Sequence, residues 1–347
     1  MTHEKYIERC LSLAKLGAGF VAPNPMVGAV IVFEGKIIGE GWHQKFGEAH
    51  AEVNCLASVK EEDRPKISKS VLYVSLEPCN HYGKTPPCTK LILQHKIPKV
   101  VIACTDPYEK VNGSGIMKLK NAGVDVRTGI LENEAIKLNK RFFTFQEKKR
   151  PYIILKWAQT ADGKVAFNAN SNKRLLISNA FSNRLVHRWR SEEAAILVGT
   201  ATALLDNPSL TNRLWTGPSP IRVILDLSLR LPKDLKVFDA AAKTIIINSK
   251  KEIQEKNLCY CKIEEKDNVA EGIVKVLYQQ QIQSVIVEGG VQLLQTFIDA
   301  GLWDEARVVT NQSLTINGGL KAPQIPQAIL QNHEKLGSDS IQYFSNK

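Results

Sequence analysis

The stretch Val71-Leu72-Tyr73-Val74-Ser75-Leu76-Glu77-Pro78-Cys79, continued by Asn80-His81-Tyr82-Gly83-Lys84-Thr85-Pro86-Pro87-Cys88, decides how the first half of the chain is built. Val71 to Ser75 is an apolar, β-branched run that predicts a strand, and its C-terminal end delivers Glu77, Pro78 and Cys79. Open α/β sheets place their ligands at that end of a strand. Cys88 opens a helix that runs through Leu93. Upstream, His50-Ala51-Glu52 falls in the first turn of a helical pattern from Ala49 to Ala57. One imidazole (His50) and two thiols (Cys79, Cys88) are three ligands suited to Zn2+, with a fourth tetrahedral position left for water. Glu52 stands where a carboxylate can move a proton on that water without binding the metal. The bland alternative is a histidine beside two core cysteines. It is weakened because both halves occur in order and with the proline.

Outward from this stretch, the N-terminal MTHEKYIERCLSLAKLG reads as an amphipathic helix with Ile7, Cys10, Leu11 and Ala14 on one face and Thr2 as N-cap. It is not a signal peptide. Ala22-Pro23-Asn24-Pro25-Met26 leads into Val27 to Phe33, a strand buried on both faces. A turn at Glu34-Gly35 and a second strand, Lys36 to Gly41, follow. Lys99 to Thr105 is a further strand, followed by a Gly113-Ser114-Gly115 loop and a helix. The order β-β-α-β-α-β-α implies a layered α/β domain.

A length of 347 residues suggests two domains, and 44% hydrophobic with 23% charged residues is ordinary for a globular chain. No apolar run approaches about 18 residues, which argues against a membrane partner. Seven cysteines without a secretory signal point to a reducing cytoplasm. Cys10, Cys55, Cys104, Cys259 and Cys261 then read as inert, and Cys259-Tyr260-Cys261 is a metal candidate with nothing nearby to complete it. The net charge of +11 raises nucleic acid as a partner. Residues 1–150 carry 23 basic and 16 acidic side chains and residues 151–347 carry 23 and 19, so the excess is diffuse. A diffuse field suits a phosphorylated small substrate, and no nucleic-acid partner is expected.

Arg150-Pro151 marks a boundary: residues 1–146 form the first domain, 147–151 a linker and 152–347 the second domain. In the second, strands are expected at Tyr152–Ala158, Ala194–Val198, Ile221–Leu225, Thr244–Ile247 and Ser284–Glu288. Helices are expected at Asn179–Arg190, from Gly199 to Asp206, at Val269–Gln280 and from Val291, with a final strand and a tail of few signals after Trp303. Gly289-Gly290 ends a strand and precedes a helix, which either packs closely or lets backbone N–H groups approach a phosphate. No G-x-G-x-x-G is present.

His-x-Glu followed by Pro-Cys…Cys is the signature of the zinc nucleobase deaminases. Their usual spacing has two residues between the cysteines, and here there are eight. NPMVGAVIV, HAE and EPCNHYGKTPPC together resemble the N-terminal domain of the bifunctional riboflavin-biosynthesis deaminase-reductase family, which has this long spacer. LKWAQTADGK, HRWRSEEAAILVGTATALLDNPSLTNR, PIRVILD and VIVEGG resemble its reductase domain. The resemblance implies a cytidine-deaminase-like three-layer α/β/α domain followed by a dihydrofolate-reductase-like α/β domain. It implies one Zn2+ per chain, held by His50, Cys79 and Cys88, with Glu52 as proton shuttle and Asn24, His43, His81 and Lys84 as substrate contacts. It also implies NADPH lined by Ala158, Leu176, Thr202, Asp206, Leu227, Gly289 and Gly290, and substrate held by Arg174, Arg190, Leu210, Arg213 and Glu288. Lys156 and Asp206 would flank the sugar being reduced, with Lys156 or a water as proton donor, and the two arginines at 190 and 213 suit a grip on phosphate. Where the family usually has Gly-Glu-Ser-x-Trp-Ile-Thr, this chain reads Asn172 to Ser178. Leu176 thus replaces the tryptophan that packs on the cofactor, and Arg174 replaces a serine contact.

The expected function is deamination of a phosphorylated ribosylaminopyrimidine followed by NADPH-dependent reduction of its ribosyl group, in a cytoplasmic homo-oligomer. A tRNA or nucleoside deaminase with an unrelated C-terminal domain is the alternative. It predicts the two-residue spacing and a basic, aromatic face, neither of which is seen. A zinc-stabilised binding protein would not need Glu52 and would use four protein ligands.

Overall fold

The computed structural model describes residues 2–82, 86–168, 175–264 and 268–347. They divide into two compact units, Met1–Lys149 and Arg150–Lys347.

The first unit runs α1 (His3–Ala14), β1 (Gly28–Phe33), β2 (Lys36–Trp42), α2 (Ala51–Ala57), β3 (Val71–Val74), α3 (Cys88–Gln94), β4 (Lys99–Ile102), α4 (Ser114–Asn121), β5 (Asp125–Arg127), α5 (Glu132–Leu138) and α6 (Lys140–Lys148). Its sheet has the order β2-β1-β3-β4-β5. β1 is antiparallel to both β2 and β3, and the β3-β4-β5 pairings are parallel. The continuous apolar run of β1 has a simple cause: its side chains alternate between two cores. Val30 and Val32 join Ile7 and Leu11 of α1 and Phe142 and Phe143 of α6. Ala29 and Ile31 join Cys55 of α2, Ile92 of α3 and Leu119 of α4. With a helical layer on each face, the strands lose the polar alternation of a half-exposed sheet. α1 buries the expected Ile7, Cys10, Leu11 and Ala14. Thr2 occupies the N-cap, but its side chain makes no capping hydrogen bond.

Glycines in β2 set the position of α2. A Cβ at Gly41 would lie 2.4 Å from Cys55 N, and one at Gly39 would lie 2.7 Å from Cys55 O. The backbone of α2 therefore rests directly on β2, which fixes where the N-terminus of α2 points.

The second unit runs β6 (Tyr152–Thr160), β7 (Lys164–Ala166), α7 (Ala180–Glu192), β8 (Ala195–Gly199), α8 (Thr200–Asp206), β9 (Ile221–Leu225), β10 (Thr244–Asn248), β11 (Ile253–Gln254), β12 (Leu258–Lys262), α9 (Val269–Gln279), β13 (Ser284–Gly289), α10 (Val291–Asp299), β14 (Glu305–Asn311), β15 (Leu320–Lys321), β16 (Ile329–Leu336) and β17 (Asp339–Ser345). The described residues form a ten-stranded sheet in the order β11-β12-β10-β9-β8-β13-β6-β14-β17-β16, and β15 pairs with β7 apart from it. The inner pairings from β12 to β14 are parallel, whereas β11, β17 and β16 run antiparallel to their neighbours. Residues 153, 155, 197, 245 and 285 pack with α9 and α10 on one face. Ile154, Ile196, Val198 and Ile286 pack with Val186 and Trp189 of α7 on the other. α7 starts where a helix is expected, because the Asn179 side chain accepts the Ser182 N–H at 3.0 Å.

Two elements lie where the sequence gives few signals. In the tail, β16 and β17 form a hairpin whose second strand pairs with β14 along its full length. β12 is a strand that the sequence pattern does not signal. Cys259 and Cys261 lie in its core-facing layer, 2% and 3% exposed, and form no part of a metal cluster among the described residues.

Candidate functional site

His50 stands at the N-cap of α2 with extended backbone, and Glu52 lies in that helix's first turn. Cys79 follows the end of β3, and Cys88 is the first residue of α3. The strand end and two helix starts converge. The Cys79 and Cys88 sulfurs lie 3.5 and 3.4 Å from His50 Nδ1, and the Cys88 backbone N–H donates to Cys79 Sγ at 3.3 Å. All three donor atoms lie within 4.8 Å of one another. A tetrahedral zinc at about 2.3 Å from each sulfur and about 2.0 Å from nitrogen sets each S···N separation at about 3.5 Å. The donor set and its spacing therefore fit Zn2+. Hydrogen bonding from Cys88 lowers the Cys79 pKa, and the same contact together with burial raises that of Cys88. The hydrogen bond to Cys79 raises His50.

Glu52 is 3% exposed. Burial pushes its carboxyl up, with the Cys79 charge adding to the effect. A carboxyl so placed accepts a proton more readily than a solvated one. His43 packs edge-on to His50 with ring centroids 5.4 Å apart. His43 Nδ1 donates to the Ala49 carbonyl at 3.0 Å, which leaves Nε2 to accept Asn24 Nδ2 at 3.1 Å. Burial lowers the His43 pKa, consistent with this neutral tautomer. The structure thus brings Asn24 and His43 together beside the metal triad. His81 lies edge-on to Tyr108 at 6.0 Å, and its buried Nδ1 has no hydrogen-bond partner among the described residues. Lys84 lies outside the described residues.

Two residues of this region have structural roles that the sequence does not reveal. Asn139 clamps Met26 through both backbone groups, accepting its N–H at 2.8 Å and donating to its carbonyl at 2.9 Å. Glu77 accepts four backbone N–H groups from residues 106–116.

In the second unit, the candidate residues gather at the C-terminal end of β13. Arg190 of α7 makes a bidentate pair with Glu288, Nε to Oε1 at 2.8 Å and Nη2 to Oε2 at 2.7 Å. Lys156 of β6 approaches the same carboxylate at 3.9 Å. Burial works against the Glu288 charge, but Arg190 and then Lys156 outweigh it and hold the carboxyl at about 2. Burial lowers the Lys156 pKa. The Arg190 fork, expected on a substrate phosphate, is thus occupied by Glu288. The Arg213 backbone N–H donates to His187 Nδ1 at 2.9 Å, and its Nη1 donates to the Thr211 hydroxyl at 3.0 Å. His187, unnoticed in the sequence, is held at about 4 by burial with help from Arg190 and Arg213. Leu210 is buried, with φ +51°.

Gly290 caps α10 with φ +75°, and a Cβ at Gly289 would sit 2.9 Å from Thr202 Cγ2. Gly289 is therefore closely packed on Thr202, while Gly290 starts α10 without a side chain, at the helix end that favours a phosphate. Ala158 and Leu227 are partly buried against the two cores. Asp206 ends α8 and is exposed, as is Leu176, at 76%. Arg174 lies outside the described residues.

Residues 1–104 match the cytidine and deoxycytidylate deaminase zinc-binding region, and residues 151–344 match the RibD C-terminal domain. The chain is 39% identical to the riboflavin biosynthesis protein RibD of Aquifex aeolicus, covering 98% of each chain. The chain belongs to the RibD family. It is 32% identical to RibD of Escherichia coli, again across 98% of each chain. A Thermotoga maritima structure described as a diaminohydroxyphosphoribosylaminopyrimidine deaminase/5-amino-6-(5-phosphoribosylamino)uracil reductase superposes with a TM-score of 0.87 at 36% identity, covering 99% of this chain and 98% of that one. Acinetobacter baumannii RibD superposes with a TM-score of 0.89 at 30% identity, with the same coverage. A deaminase zinc-binding region joined to a reductase domain makes this chain a bifunctional deaminase/reductase of riboflavin biosynthesis, which implies zinc and a nicotinamide cofactor. Among the described residues no helix is long and apolar enough to cross a membrane.

Proposed function

We propose that residues 1–146 deaminate a 2,5-diamino-6-(phosphoribosylamino)pyrimidinone and that residues 152–347 then reduce the ribosyl group of the product with NADPH. The observation that carries the first step is a buried carboxyl, Glu52, against a His-Cys-Cys donor set of zinc geometry. His50, Cys79 and Cys88 would hold the metal, which supplies the Lewis acidity that makes water a nucleophile near neutral pH. Glu52 takes the proton from that water and returns it to the leaving amine, a role favoured by its raised affinity for protons. The Asn24–His43 pair and His81 hold the pyrimidine edge, and Lys84 takes part in binding the anionic substrate.

In the reductase, Gly289-Gly290 and Thr202 hold a phosphate of NADPH, with Ala158, Asp206, Leu176 and Leu227 lining the rest of its site. NADPH supplies the hydride for the opened ribose. Lys156 gives a proton to the sugar oxygen, and its lowered pKa suits that donation. Glu288 orients Lys156 and fixes Arg190, which leaves the remaining guanidinium N–H groups of Arg213 for the substrate phosphate. Leu210 and Arg174 complete that pocket. Seven free cysteines fit a cytoplasmic enzyme. The test is a coupled assay on the full chain. Absorbance of NADPH should fall with the deaminated phosphoribosyl intermediate and not with the diamino compound when deamination is blocked. Equal oxidation with both compounds would overturn the order of steps.

A further inference from the structure

Glu77 lies two residues before Cys79 and is 4% exposed. Its Oε2 accepts the N–H groups of Asp106 at 3.3 Å and Gly113 at 2.9 Å, and its Oε1 accepts those of Gly115 at 2.9 Å and Ile116 at 3.2 Å. Gly113, Gly115 and Ile116 are the N-cap, second and third residues of α4. These are the N–H groups that a helix leaves without internal partners, and the N-cap side chain normally meets some of them. Here the N-cap is a glycine with φ +84°, and no side chain of its own serves. The cap comes instead from the end of β3, as an anion at the positive end of the helix.

The same stretch is tied to the end of β4 at one further point and to α4 at two. The Glu77 N–H donates to the Cys104 carbonyl at 3.0 Å, and Asn80 Nδ2 donates to the Ser114 carbonyl at 3.4 Å. A Cβ at Gly115 would lie 2.2 Å from the Pro78 oxygen. Between the clamped ends runs the segment 106–113. It carries Tyr108, whose N–H donates to Asp106 Oδ1 at 2.8 Å and whose ring faces His81. The body of α4 is held separately, through the fully buried Leu119 and the partly buried Ile116 in the core beneath β3 and β4.

We propose that Glu77 is a positioning residue for deamination: it caps α4 from the end of β3 and so holds the 106–113 segment, with Tyr108, against the loop that carries Cys79 and His81. This rests on the deaminase reading above. Glutamine keeps the shape but offers one accepting oxygen and an NH2 that cannot accept, so part of the clamp faces donor against donor. The experiment measures, on the full zinc-loaded chain, steady-state deamination of the diaminopyrimidinone phosphate, zinc per chain, NADPH oxidation with the deaminated intermediate, and amide exchange over 106–116, for wild type, Glu77→Gln and Glu77→Asp.

In Glu77→Gln, KM should rise about tenfold while kcat stays within about threefold, the split expected when binding geometry and not chemistry is lost. Zinc and reductase activity should be unchanged, and exchange at Gly113, Gly115 and Ile116 should speed up. Glu77→Asp, which keeps the charge, should fall between. An unchanged KM in an active enzyme, or loss of zinc with kcat falling and KM constant, overturns the proposal. If Glu77→Gln does not fold, Glu77→Asp decides by the same KM criterion. A wild type that does not deaminate instead defeats the deaminase reading, while the exchange rates still test the clamp.

Discussion

Replacing Glu288 with glutamine removes the single carboxylate that two buried cations share. The side chains of Glu288, Arg190 and Lys156 are 6%, 14% and 12% exposed, so the lost charge is not replaced by water. The carboxyl sits at about 2 against an ordinary value near 4.5, a drop that corresponds to about 3 kcal/mol of stability. Breaking a buried pair by removing one partner costs about 3–5 kcal/mol, so the two routes agree. Because the folded pKa is depressed, this stabilisation is complete above pH of about 4.5 and is lost as pH falls through about 2. The assay is denaturant unfolding followed by tryptophan fluorescence. Trp157, Trp189, Trp215 and Trp303 lie in the second unit and Trp42 alone in the first, so the signal reports mainly the reductase unit. Wild type should exceed Glu288→Gln by a constant margin from pH 8 to 5, and the margin should shrink at pH 4. A difference below about 1 kcal/mol, the size of an exposed pair, would refute the reasoning, as would a margin that grows in acid.

Two further outcomes follow from the first unit. Burial pushes Asp106 up to about 7, so the folded state holds its proton more tightly than the unfolded chain. The contribution of Asp106 to stability is therefore greatest below pH of about 4 and falls as pH rises toward about 7. Asp106→Asn, which can still accept the Tyr108 N–H, should remove that fall and be the more stable protein at pH 8, by up to about 4 kcal/mol, with no advantage at pH 4. Thermal melts at both pH values check it, and an equal advantage at both would count against a buried carboxyl. Gly41→Ala should cost about 1–3 kcal/mol or more, because its Cβ would meet backbone atoms of α2 at 2.4 and 2.6 Å. Since α2 carries His50 at its N-cap, zinc content should fall with stability. A variant that melts and binds zinc like wild type would show that α2 does not rest on β2 as described.

What the sequence disclosed follows from how each element is buried. β1, β6 and β13 are legible as long apolar runs because helices cover both faces of their sheets. The metal triad is legible because its chemistry requires particular residue types at short spacings. β16 is not legible because it is exposed at almost every position, which leaves no alternation, and its place is fixed by hydrogen bonding to β17. Glu77 was invisible as a clamp because its donors lie 29 to 39 residues further along the chain. The Glu288 partner of Arg190 lies 98 residues away, so nothing local in the sequence distinguishes this ion pair from a grip on phosphate. The eight-residue spacer between the cysteines was the most informative departure. It separates this family from the deaminases with a short spacer, although Gly83, Lys84 and Thr85 within it lie outside the described residues.

The central claim is that a buried carboxyl beside a His-Cys-Cys metal set performs the deamination, and Glu52→Gln tests it most directly. With zinc per chain measured in the same preparation, deamination of the diaminopyrimidinone phosphate should fall by about 10² to 10⁴, the usual worth of a general acid-base group. Zinc should remain bound through His50, Cys79 and Cys88, and NADPH oxidation with the deaminated intermediate should proceed at the wild-type rate. Undiminished deamination by the zinc-loaded variant would contradict the account.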